Sequence, residues 1–420
     1  MLDIKFIREN KGLVSQAIKD KMVDLDLNKL LKLDEKRREF QHGIDEQRAE
    51  LKKSSKAKPE PDEIKKLKKL SDEIKTKQTE LEEVEAGFRT LMLLVPNIPS
   101  KDTLKGGEKD FKIIDTWGDV PKFDFDIKDH IELGNSLNLF DLERGVKVAG
   151  FRGYFLKNEG LLLQMALMNL ALEKLVKKGF TPMQTPTMVK EFALVGSGHF
   201  PTGREEIYEV EEFSKDKEKE HKYLVGTAEP SLLAYHADEV LDAKQLPIKL
   251  CGISPCFRRE VGGYGKDTRG LYRVHEFMKV EQVVICENNL EQSEVIFQEL
   301  NQTAREFLQE LELPHRVIQI ATGDMGAGKY KMYDIETWFA GKKAYGETHS
   351  NSNLTDWQAR RLNIRYRDKN ETKFVYTLNN TMIASPRILI AILENNQQKD
   401  GSIKIPKVLQ NYLGKKIISK

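Results

Sequence analysis

Residues 257–281 combine arginine, carboxylate and aromatic side chains in a regular pattern. Arg258 and Glu260 lie two positions apart at the end of an apolar run. After a glycine-rich loop, a second run carries alternating side chains: Arg273, His275, Phe277, Lys279 and Glu281. Side chains two apart share one face of a β-strand, so we predict a hairpin with a polar face. Because such a face is poorly suited to a hydrophobic core, we expect it to bind a small ligand with an anionic group, an amine and a flat ring.

The same two-residue spacing recurs elsewhere in the chain. Thr227 and Glu229 are separated in this way, and so are Asn379 and Thr381. A single pair of this kind more often belongs to an ordinary strand whose polar side chains face solvent. Several pairs on neighbouring strands would instead form one polar floor, because alternate side chains point to the same face of a sheet.

Residues 323–329 have the spacing of a phosphate-binding P-loop. Tyr330 follows where a Ser or Thr would bind Mg²⁺, and the segment leads into a predicted strand instead of a helix. Both departures count against a nucleotide site, so we interpret this segment as scaffold.

The elements that must position these residues fall into two regions of the 420-residue chain. From about residue 27 to residue 93, apolar residues recur every seven positions, as in helices that pack along a seam. The seam positions are Leu30, Arg37, Ile44 and Leu51 with Leu33, Phe40 and Gln47, then Leu67, Ile74, Leu81 and Phe88 with Leu70, Lys77, Val84 and Leu91. Pro59 and Pro61 interrupt the pattern, so we predict two antiparallel helices joined by a short break.

The predicted tip of this helical hairpin is basic. Residues 52–69 contain eight lysines and three acids. A charged heptad segment alone favours a dimerisation coiled coil or a solvated arm, whereas a basic tip can contact nucleic-acid phosphates. The candidate nucleic-acid-binding lysines of this tip are Lys52, Lys53, Lys56, Lys65, Lys66 and Lys69.

The remainder of the chain, from about residue 111, mixes β-branched runs with helical patterns. Predicted strands span 223–227, 248–257, 275–285, 316–321, 333–339 and 374–382, and predicted helices span 161–178 and 291–311. Strands that follow one another through loops, with helices grouped elsewhere, indicate an antiparallel β-sheet in an α+β domain. Ser385 is a candidate N-cap and Pro386 a candidate first residue of a helix that carries Arg387 in its first turn, where anions bind favourably.

Composition limits the classes of function. The net charge is only +2, so a nucleic-acid site must be a local patch. Cys251, Cys256 and Cys286 lack the spacing of a metal site, so we expect reduced thiols and no zinc. The N-terminus has no apolar segment of the signal-peptide type and no apolar run approaches membrane-spanning length, so we expect a cytoplasmic protein.

Several segments resemble those of a known enzyme family. Residues 255–282 are similar to motif 2 of class II aminoacyl-tRNA synthetases, and the words DTRGL, RVHEF and KVEQ within them resemble the seryl-tRNA synthetase family. Residues 376–396, which contain LNNTMIASPR, resemble motif 3, and residues 346–353 resemble the strand before it. Residues 177–190 resemble motif 1, the helix–strand element of the class II dimer interface.

The resemblance implies a fold and an activity. It implies a tRNA-binding helical hairpin in residues 1–108 and an antiparallel class II catalytic domain in residues 109–420. Such an enzyme activates L-serine with ATP to seryl-adenylate and pyrophosphate, then transfers serine to the 3′-terminal adenosine of tRNA(Ser). The resemblance also implies Mg²⁺ and a homodimer, and it leaves open whether selenocysteine tRNA is charged.

The resemblance also assigns site residues. Arg258 and Arg387 would be catalytic, since the guanidinium groups bind carboxylate and phosphate. The candidate serine-binding residues are Thr227, Ala228, Glu229, Arg258, Glu281, Asn379 and Thr381. The candidate ATP-binding residues are Arg258, Arg259, Glu260, Arg273, Val274, Phe277, Glu347, Thr348, His349, Ser350 and Arg387, with Glu347 and Ser350 as Mg²⁺ ligands.

Two alternatives to this function follow from the same residues. A synthetase paralogue could bind tRNA without charging it. One set of residues argues against this alternative: Arg258, Glu260, Glu281, Glu347 and Arg387. A structural coiled-coil adaptor with an inert globular domain is the second alternative, and it would lose all function without the helical hairpin.

Overall fold

The computed structural model describes residues 1–54, 61–211, 221–261, 269–369 and 371–420. The chain divides into two compact units, Met1–Pro96 and Asn97–Lys420. No helix in the described part of the chain combines the length and apolar character that crossing a bilayer requires.

The first unit is helical, with α1 (Ile4–Glu9), α2 (Lys11–Asp20), α3 (Leu27–Ser54) and α4 (Pro61–Leu94). Ile44, Ile74 and Leu81 are buried between α3 and α4, as the seven-residue pattern predicts. Arg37 lies 4.6 Å over the ring of Phe88. Further along α3, Gln47 donates a hydrogen bond to Glu73, so the two helices run antiparallel and the predicted hairpin is confirmed.

The basic tip is described only in part. Lys52, Lys53, Lys65, Lys66 and Lys69 are exposed near the facing ends of α3 and α4. Lys56, and most of the predicted break around Pro59, lie outside the described residues. Pro61 is the first residue of α4, a position where its missing N–H costs no intrahelical hydrogen bond.

The second unit contains helices and strands in mixed order. The helices are α5 (His130–Ser136), α6 (Leu142–Ala149), α7 (Asn158–Lys177), α8 (Glu191–Ser197), α9 (Glu229–Ala234), α10 (Leu290–Glu310), α11 (Ala359–Leu362), α12 (Ser385–Asn395) and α13 (Gln410–Leu413). The strands are β1 (Phe111–Trp117), β2 (Phe140–Asp141), β3 (Phe155–Leu156), β4 (Thr181–Gln184), β5 (Met188–Lys190), β6 (Tyr208–Val210), β7 (Lys222–Leu224), β8 (Val240–Asp242), β9 (Ile248–Phe257), β10 (Glu276–Cys286), β11 (His315–Ile320), β12 (Lys331–Phe339), β13 (Ala344–Thr355), β14 (Arg365–Asp368), β15 (Glu371–Phe374), β16 (Tyr376–Ala384), β17 (Ile403–Lys404) and β18 (Ile417–Ile418).

One large sheet organises this unit. Its strand order is β1-β11-β12-β13-β16-β10-β9-β4, and each neighbouring pair is antiparallel apart from the parallel pair of β4 with β9. The predicted antiparallel α+β architecture is therefore confirmed.

The two faces of this sheet differ in chemistry. On one face, apolar side chains such as Val284, Ile335 and Leu378 pack with residues of α7, α10 and α12 in the main core. Asn351 and Asn380 also point to this face, where their amides donate to backbone carbonyls of α10 at 2.9 and 2.8 Å. Because side chains alternate along a strand, the neighbouring residues of β10 and β16 point to the opposite face.

Most of the predicted elements appear with small shifts of their ends. Strand β9 has the predicted bounds, and β10, β11, β12, α7 and α10 have ends that differ from the prediction by no more than a few residues. The 323–329 segment leads into β12, as the interpretation against a P-loop expected. All three cysteines are buried with unpaired thiols, and burial raises the pKa of Cys251 and of Cys286 to about 12.

The strand assignment is wrong for two of the polar pairs. Thr227 follows β7 in a loop, and β7 belongs to a separate three-stranded sheet. Glu229 begins α9, because Pro230, the next residue in the chain, favours the first turn of a helix. Arg258 and Glu260 lie beyond the end of β9, and Glu260 has a φ of 53°, in the left-handed region.

Two boundaries near motif 3 are also wrong. Ser385 is not the N-cap of α12, since that position belongs to Ala384 and Ser385 is already helical. The predicted strand 374–382 is divided, with Phe374 ending β15 and Tyr376 beginning β16. Arg387 nevertheless lies in the first turn of α12, as predicted.

Candidate active site

A cleft opens on the polar face of the large sheet. Its lining comes from β10, β13, β16, the start of α12 and the segment that precedes β10. Among the described residues, the side chains around it are Arg258, Glu260, Tyr272, Arg273, Val274, Phe277, Lys279, Glu347, Thr348, Thr381, Ala384, Pro386 and Arg387. Four are cationic and two are carboxylates, so the cleft suits an anionic ligand that also carries a flat ring.

Arg387 reaches the cleft from the first turn of α12. Its Nη1 donates to Glu347 O at 2.7 Å and lies 3.2 Å from the Glu347 carboxylate. Its guanidinium lies 4.6 Å over the ring of Tyr272. Burial lowers the pKa of Arg387, but Glu347 and Tyr272 outweigh that effect and the net shift raises the pKa. The side chain is therefore a held, permanently charged cation.

Arg258 and Phe277 face each other across the β9–β10 hairpin. The Arg258 guanidinium lies 5.3 Å from the centroid of the Phe277 ring, and its Nε donates to Gly226 O at 3.2 Å. The backbone N–H of Arg258 donates to His275 O at 2.9 Å. An aromatic face and a bidentate cation are thereby placed side by side at one end of β10.

Glu260 is the first carboxylate at this end of the cleft. Its Oε2 accepts a hydrogen bond from Arg273 Nη1 at 2.8 Å. Both side chains line the cleft. The left-handed backbone of Glu260 turns the chain away from β9, so this carboxylate reaches the site from a loop and not from a strand.

Glu281 lies deeper on the same sheet face. It is opposite Thr381 in the register of β10 with β16, and only 2% of its surface is exposed. Thr227 Oγ1 donates to Glu281 Oε2 at 3.3 Å, and Lys279 forms a salt bridge with the same oxygen. Burial raises the pKa of Glu281, and the nearby Lys279 opposes that shift.

Glu229 forms the neighbouring carboxylate, brought in by α9. Asn379 Nδ2 donates to Glu229 Oε1 at 2.8 Å, and the Glu229 backbone N–H lies 3.5 Å from Thr227 Oγ1. Ala228 is fully buried at the N-cap of α9. The four residues Thr227, Glu229, Glu281 and Asn379 thus meet in one buried polar cluster, although only Glu281 and Asn379 come from adjacent strands.

Several predicted ATP-binding residues do not offer a free side-chain group to the cleft. The Arg259 side chain is exposed and does not line the cleft. His349 is buried, with Nε2 3.1 Å from Met382 O and Nδ1 2.9 Å from Thr348 Oγ1. Thr348 and Val274 line the cleft, but Thr348 Oγ1 is engaged with Thr337 Oγ1 at 2.8 Å. Ser350 lies opposite Asp334 in the register of β12 with β13.

Two residues of the cleft with polar side chains, Lys279 and Tyr272, received no role from the sequence. Lys279 Nζ donates to Thr227 Oγ1 at 3.1 Å and pairs with Glu281. Lys279 alternates with Phe277 and Glu281 in the sequence, and this pattern could have predicted that its side chain lies on the same face. Tyr272, which lies under Arg387, comes from an irregular segment where no period applies, so only the folded chain reveals it.

The described side chains around the cleft do not form a metal site by themselves. No group of three or more His, Cys, Asp or Glu side chains in the described part of the chain could hold a metal ion. Glu347 is half-exposed at the cleft and is the candidate carboxylate closest to Arg387. Any metal here would need further oxygen ligands from a bound molecule or water.

Two family models match the chain. Residues 1–99 match the seryl-tRNA synthetase N-terminal domain. Residues 208–396 match the class II tRNA synthetase core domain of the G, H, P, S and T enzymes. The second match contains every cleft residue named above.

Full-length relatives agree with these matches. A serine–tRNA ligase from Deinococcus radiodurans is 45% identical, covering 99% of this chain and 98% of its own. A crystal structure of seryl-tRNA synthetase from Pyrococcus horikoshii complexed with ATP has a TM-score of 0.90 at 38% identity, covering 100% of this chain and 99% of its own. A cytoplasmic serine–tRNA ligase from Naegleria fowleri in complex with AMP has a TM-score of 0.86 at 33% identity, with the same coverage.

Replacing Lys279 with Met should destabilise the protein by about 3 kcal/mol at pH 8, because Glu281 then stays buried without its cation. Since burial raises the pKa of Glu281, the folded state binds a proton more readily than the unfolded state. The stability that this proton gives is present at low pH and is lost as pH rises through the folded pKa. The destabilisation by K279M should therefore be smaller at pH 5, as measured by urea unfolding.

The double variant K279M/E281Q is the matched control. It removes both charges, so it should recover much of the stability that K279M loses at pH 8. Equal losses for K279M at both pH values, with no recovery in the double variant, would contradict the assignment of a buried, charge-compensated pair.

Proposed function

The chain belongs to the seryl-tRNA synthetase family, and from this membership we propose how its own residues carry out the reaction. The protein is a serine–tRNA ligase that consumes ATP. It activates L-serine as seryl-adenylate and then transfers the seryl group to tRNA(Ser). One observation supports this assignment of the site. Phe277, Glu281 and Asn379 lie on the same face of the large sheet, so the cleft that holds Arg258 and Phe277 adjoins the buried carboxylate cluster.

We assign ATP to the part of the cleft that Phe277, Glu260 and Arg387 line. Phe277 would stack on the adenine, and Glu260 would accept a hydrogen bond from its exocyclic amine. Arg387 would bind the γ-phosphate, helped by the N-terminus of α12, where unpaired backbone N–H groups favour an anion. The support is geometric, since Arg387, Glu260 and Phe277 line the same cavity.

We assign Arg258 to the reacting groups between the two substrates. A guanidinium binds carboxylate and phosphate oxygens in the same planar fork, so it can hold the serine carboxylate near the α-phosphorus. Arg258 lies 5.3 Å from the Phe277 ring, and its Nε donates to the carbonyl of Gly226, the residue before Thr227 of the buried cluster. The Glu260–Arg273 and Glu347–Arg387 pairs would exchange their mutual contacts for contacts with ATP.

The first chemical step needs no general base. The serine carboxylate is already ionised at neutral pH, and one of its oxygens attacks the α-phosphorus. The bond from the α-phosphorus to the bridging oxygen breaks, and its electron pair leaves with pyrophosphate. In the second step the hydroxyl of the 3′-terminal adenosine attacks the seryl carbonyl, loses its proton and displaces AMP. Catalysis rests mainly on positioning and on stabilisation of developing negative charge.

We assign the amino acid to the buried cluster. Glu281 and Thr227 would bind the ammonium group, while Glu229 and Thr381 would bind the hydroxyl, with Asn379 supporting Glu229. The cluster is small and polar, and its groups would be left unpaired by an amino acid without a hydroxyl. A site of this kind rejects such analogues by roughly 10⁴-fold.

We propose that Mg²⁺ binds through ATP and not through the protein alone. Glu347 offers an exposed carboxylate and Ser350 a hydroxyl on the same strand, β13. This sparse set fits Mg²⁺, which usually takes one or two carboxylates and completes its shell with phosphate oxygens and water. When bound, the ion would neutralise phosphate charge.

We propose that the helical hairpin binds tRNA. Its exposed lysines can contact phosphates without reading sequence, which suits a long arm that orients an RNA. Selenocysteine tRNA is the second candidate acceptor, and a charging assay with that RNA tests it. A cytoplasmic location stays a prediction.

We propose that the protein is a homodimer. Helix α7 exposes Leu161, Leu162, Met165 and Val176 along its length. Strand β4, which follows α7, lies at the edge of the sheet. Exposed apolar side chains beside an open strand edge favour burial against a second copy.

Serine should be the amino acid that supports ATP–pyrophosphate exchange when all twenty are screened. Replacing Arg387 with Ala should reduce exchange by about 100-fold or more, because it removes a preorganised cation from the transferring phosphates. Arg144, an exposed arginine paired with Asp141, provides the matched control R144A. Exchange by R387A at the level of R144A would contradict the assigned role, and absent exchange with serine would favour a non-charging paralogue.

The triple variant K52E/K53E/K65E should reduce tRNA charging and leave serine-dependent exchange unchanged. The loss should be about tenfold or more at 0.1 M salt, and the salt dependence of tRNA binding should weaken, because each lost phosphate contact lowers the slope. The control variant K29E/K36E/K75E reverses the charge of three exposed lysines that lie away from the tip. Equal loss in both triple variants would contradict tRNA binding at the tip.

Sedimentation should give a mass near twice the 48.3 kDa of the chain. Replacing Leu162 with Glu should shift the protein toward monomer, because the charge would be buried in the proposed interface. Val295, an exposed apolar residue of α10, provides the control V295E. A monomeric wild-type protein, or an L162E variant as dimeric as V295E, would contradict this interface.

A further inference from the structure

Gln358 is a fully buried amide that bonds to the carboxylate of Glu229. It has 0% exposed surface and lies at the N-cap of α11. Its Nε2 donates to Glu229 Oε1 at 2.7 Å and to Ser197 O at 2.8 Å. Its Oε1 accepts from Thr377 Oγ1 at 2.6 Å. Both N–H donors and the carbonyl oxygen of this side chain are therefore in use.

The chemistry of its neighbours fixes which way the Gln358 amide points. Ser197 O and Glu229 Oε1 can only accept hydrogen bonds, so the nitrogen must face them. The Thr377 hydroxyl then donates to the remaining oxygen. A reversed amide would put its oxygen against two acceptors, which would be costly at a buried site.

Glu229 is consequently held through one of its two oxygens. Gln358 at 2.7 Å and Asn379 at 2.8 Å both donate to Oε1. No described residue donates to Oε2. Two amide donors on one side of a carboxylate hold its plane and leave the second oxygen for a ligand group.

Packing holds Gln358 itself in place. Arg361, in α11, donates to Val195 O at 2.8 Å, and its guanidinium lies 3.7 Å over the ring of Trp357. Gly198 has a φ of +90°, and a Cβ there would come within 2.5 Å of the Trp357 ring. Segment 357–361 is thus locked against segment 195–200, and Gln358 links that contact to Glu229.

We propose that Gln358 is a positioning residue for amino-acid selection. By holding Glu229 Oε1, it aims Oε2 at the ligand hydroxyl, and so it sets the discrimination between serine and alanine. Gln358 acts through Glu229 and touches neither ATP nor the reacting atoms. The inference rests on the proposed function, because the ligand hydroxyl is that of serine.

The test replaces Gln358 with Leu, a side chain of similar size that has no donors. Q358L should raise KM for serine and lower the ratio of kcat/KM for serine to that for alanine by about tenfold, the effect of losing one hydrogen bond to a charged group. KM for ATP should stay unchanged. Pyrophosphate exchange with each amino acid measures all three quantities in the full-length protein.

Gln397 provides a control with the same chemistry at a distance from the cluster. It is also buried, its Nε2 donates to Lys128 O and Glu394 O, and its Oε1 accepts from Lys128 N. Q397L loses the same number of hydrogen bonds, so it should lower thermal stability and leave the serine-to-alanine ratio unchanged.

Thr377 provides a second, milder test in case Q358L does not fold. T377V keeps the shape of a strand residue and removes the donor that orients the Gln358 amide. It should lower the serine-to-alanine ratio by a smaller factor. The double variant T377V/Q358L should match Q358L, because both changes act through the same amide.

The outcomes separate this inference from the proposed function. If wild-type protein exchanges with serine but Q358L and T377V keep the wild-type serine-to-alanine ratio, the inference fails and the function stands. If Q358L changes stability only, as Q397L does, the inference likewise fails. If wild-type protein shows no serine-dependent exchange, the proposed function fails, and the inference fails with it.

Discussion

The arrangement of the site depends on a buried carboxylate and the neighbouring cation that compensates it. Glu281 lies almost completely out of water on β10, and Lys279 on the same face pairs with it. Burial of either charge alone would cost several kcal/mol. The register of β10 with β16 places Thr381 opposite Glu281, and Thr227 completes the cluster. An unpaired charge at this buried position would be strongly destabilising, so the pair constrains the geometry of the cluster.

The large sheet can hold these buried charges because its two faces differ, one being packed in the core and the other polar. Core side chains of β10, β12 and β16 pack with α7, α10 and α12, and even the polar Asn351 and Asn380 on that side are bonded to α10 carbonyls. This packing fixes the strands, so the opposite face can hold charges at defined positions. Catalytic geometry of this kind requires rigid supporting elements, and here a packed sheet supplies them.

Loops and helix starts contribute what the strands do not. Arg258 and Glu260 follow the end of β9, Glu229 begins α9, and Arg387 lies in the first turn of α12. Side chains at such positions can reach across a sheet face, whereas strand residues point straight out from it. The buried network of Gln358, Thr377 and Asn379 then holds the Glu229 carboxylate, which a short helix alone would leave able to rotate.

The sequence by itself determined the periodic parts of this protein. The seven-residue seam predicted the α3–α4 hairpin, and alternation predicted β9, β10 and the face that carries Phe277 and Glu281, because these signals are local and repeat with the geometry of the element. The motif words indicated the family and a set of site residues. Tertiary structure alone decided that Thr227 and Glu229 reach the site from a loop and a helix, that Lys279 and Glu281 meet Thr227, and that Tyr272 and Gln358 support Arg387 and Glu229. Their partners lie far away in the chain, and no local pattern encodes a contact between distant segments.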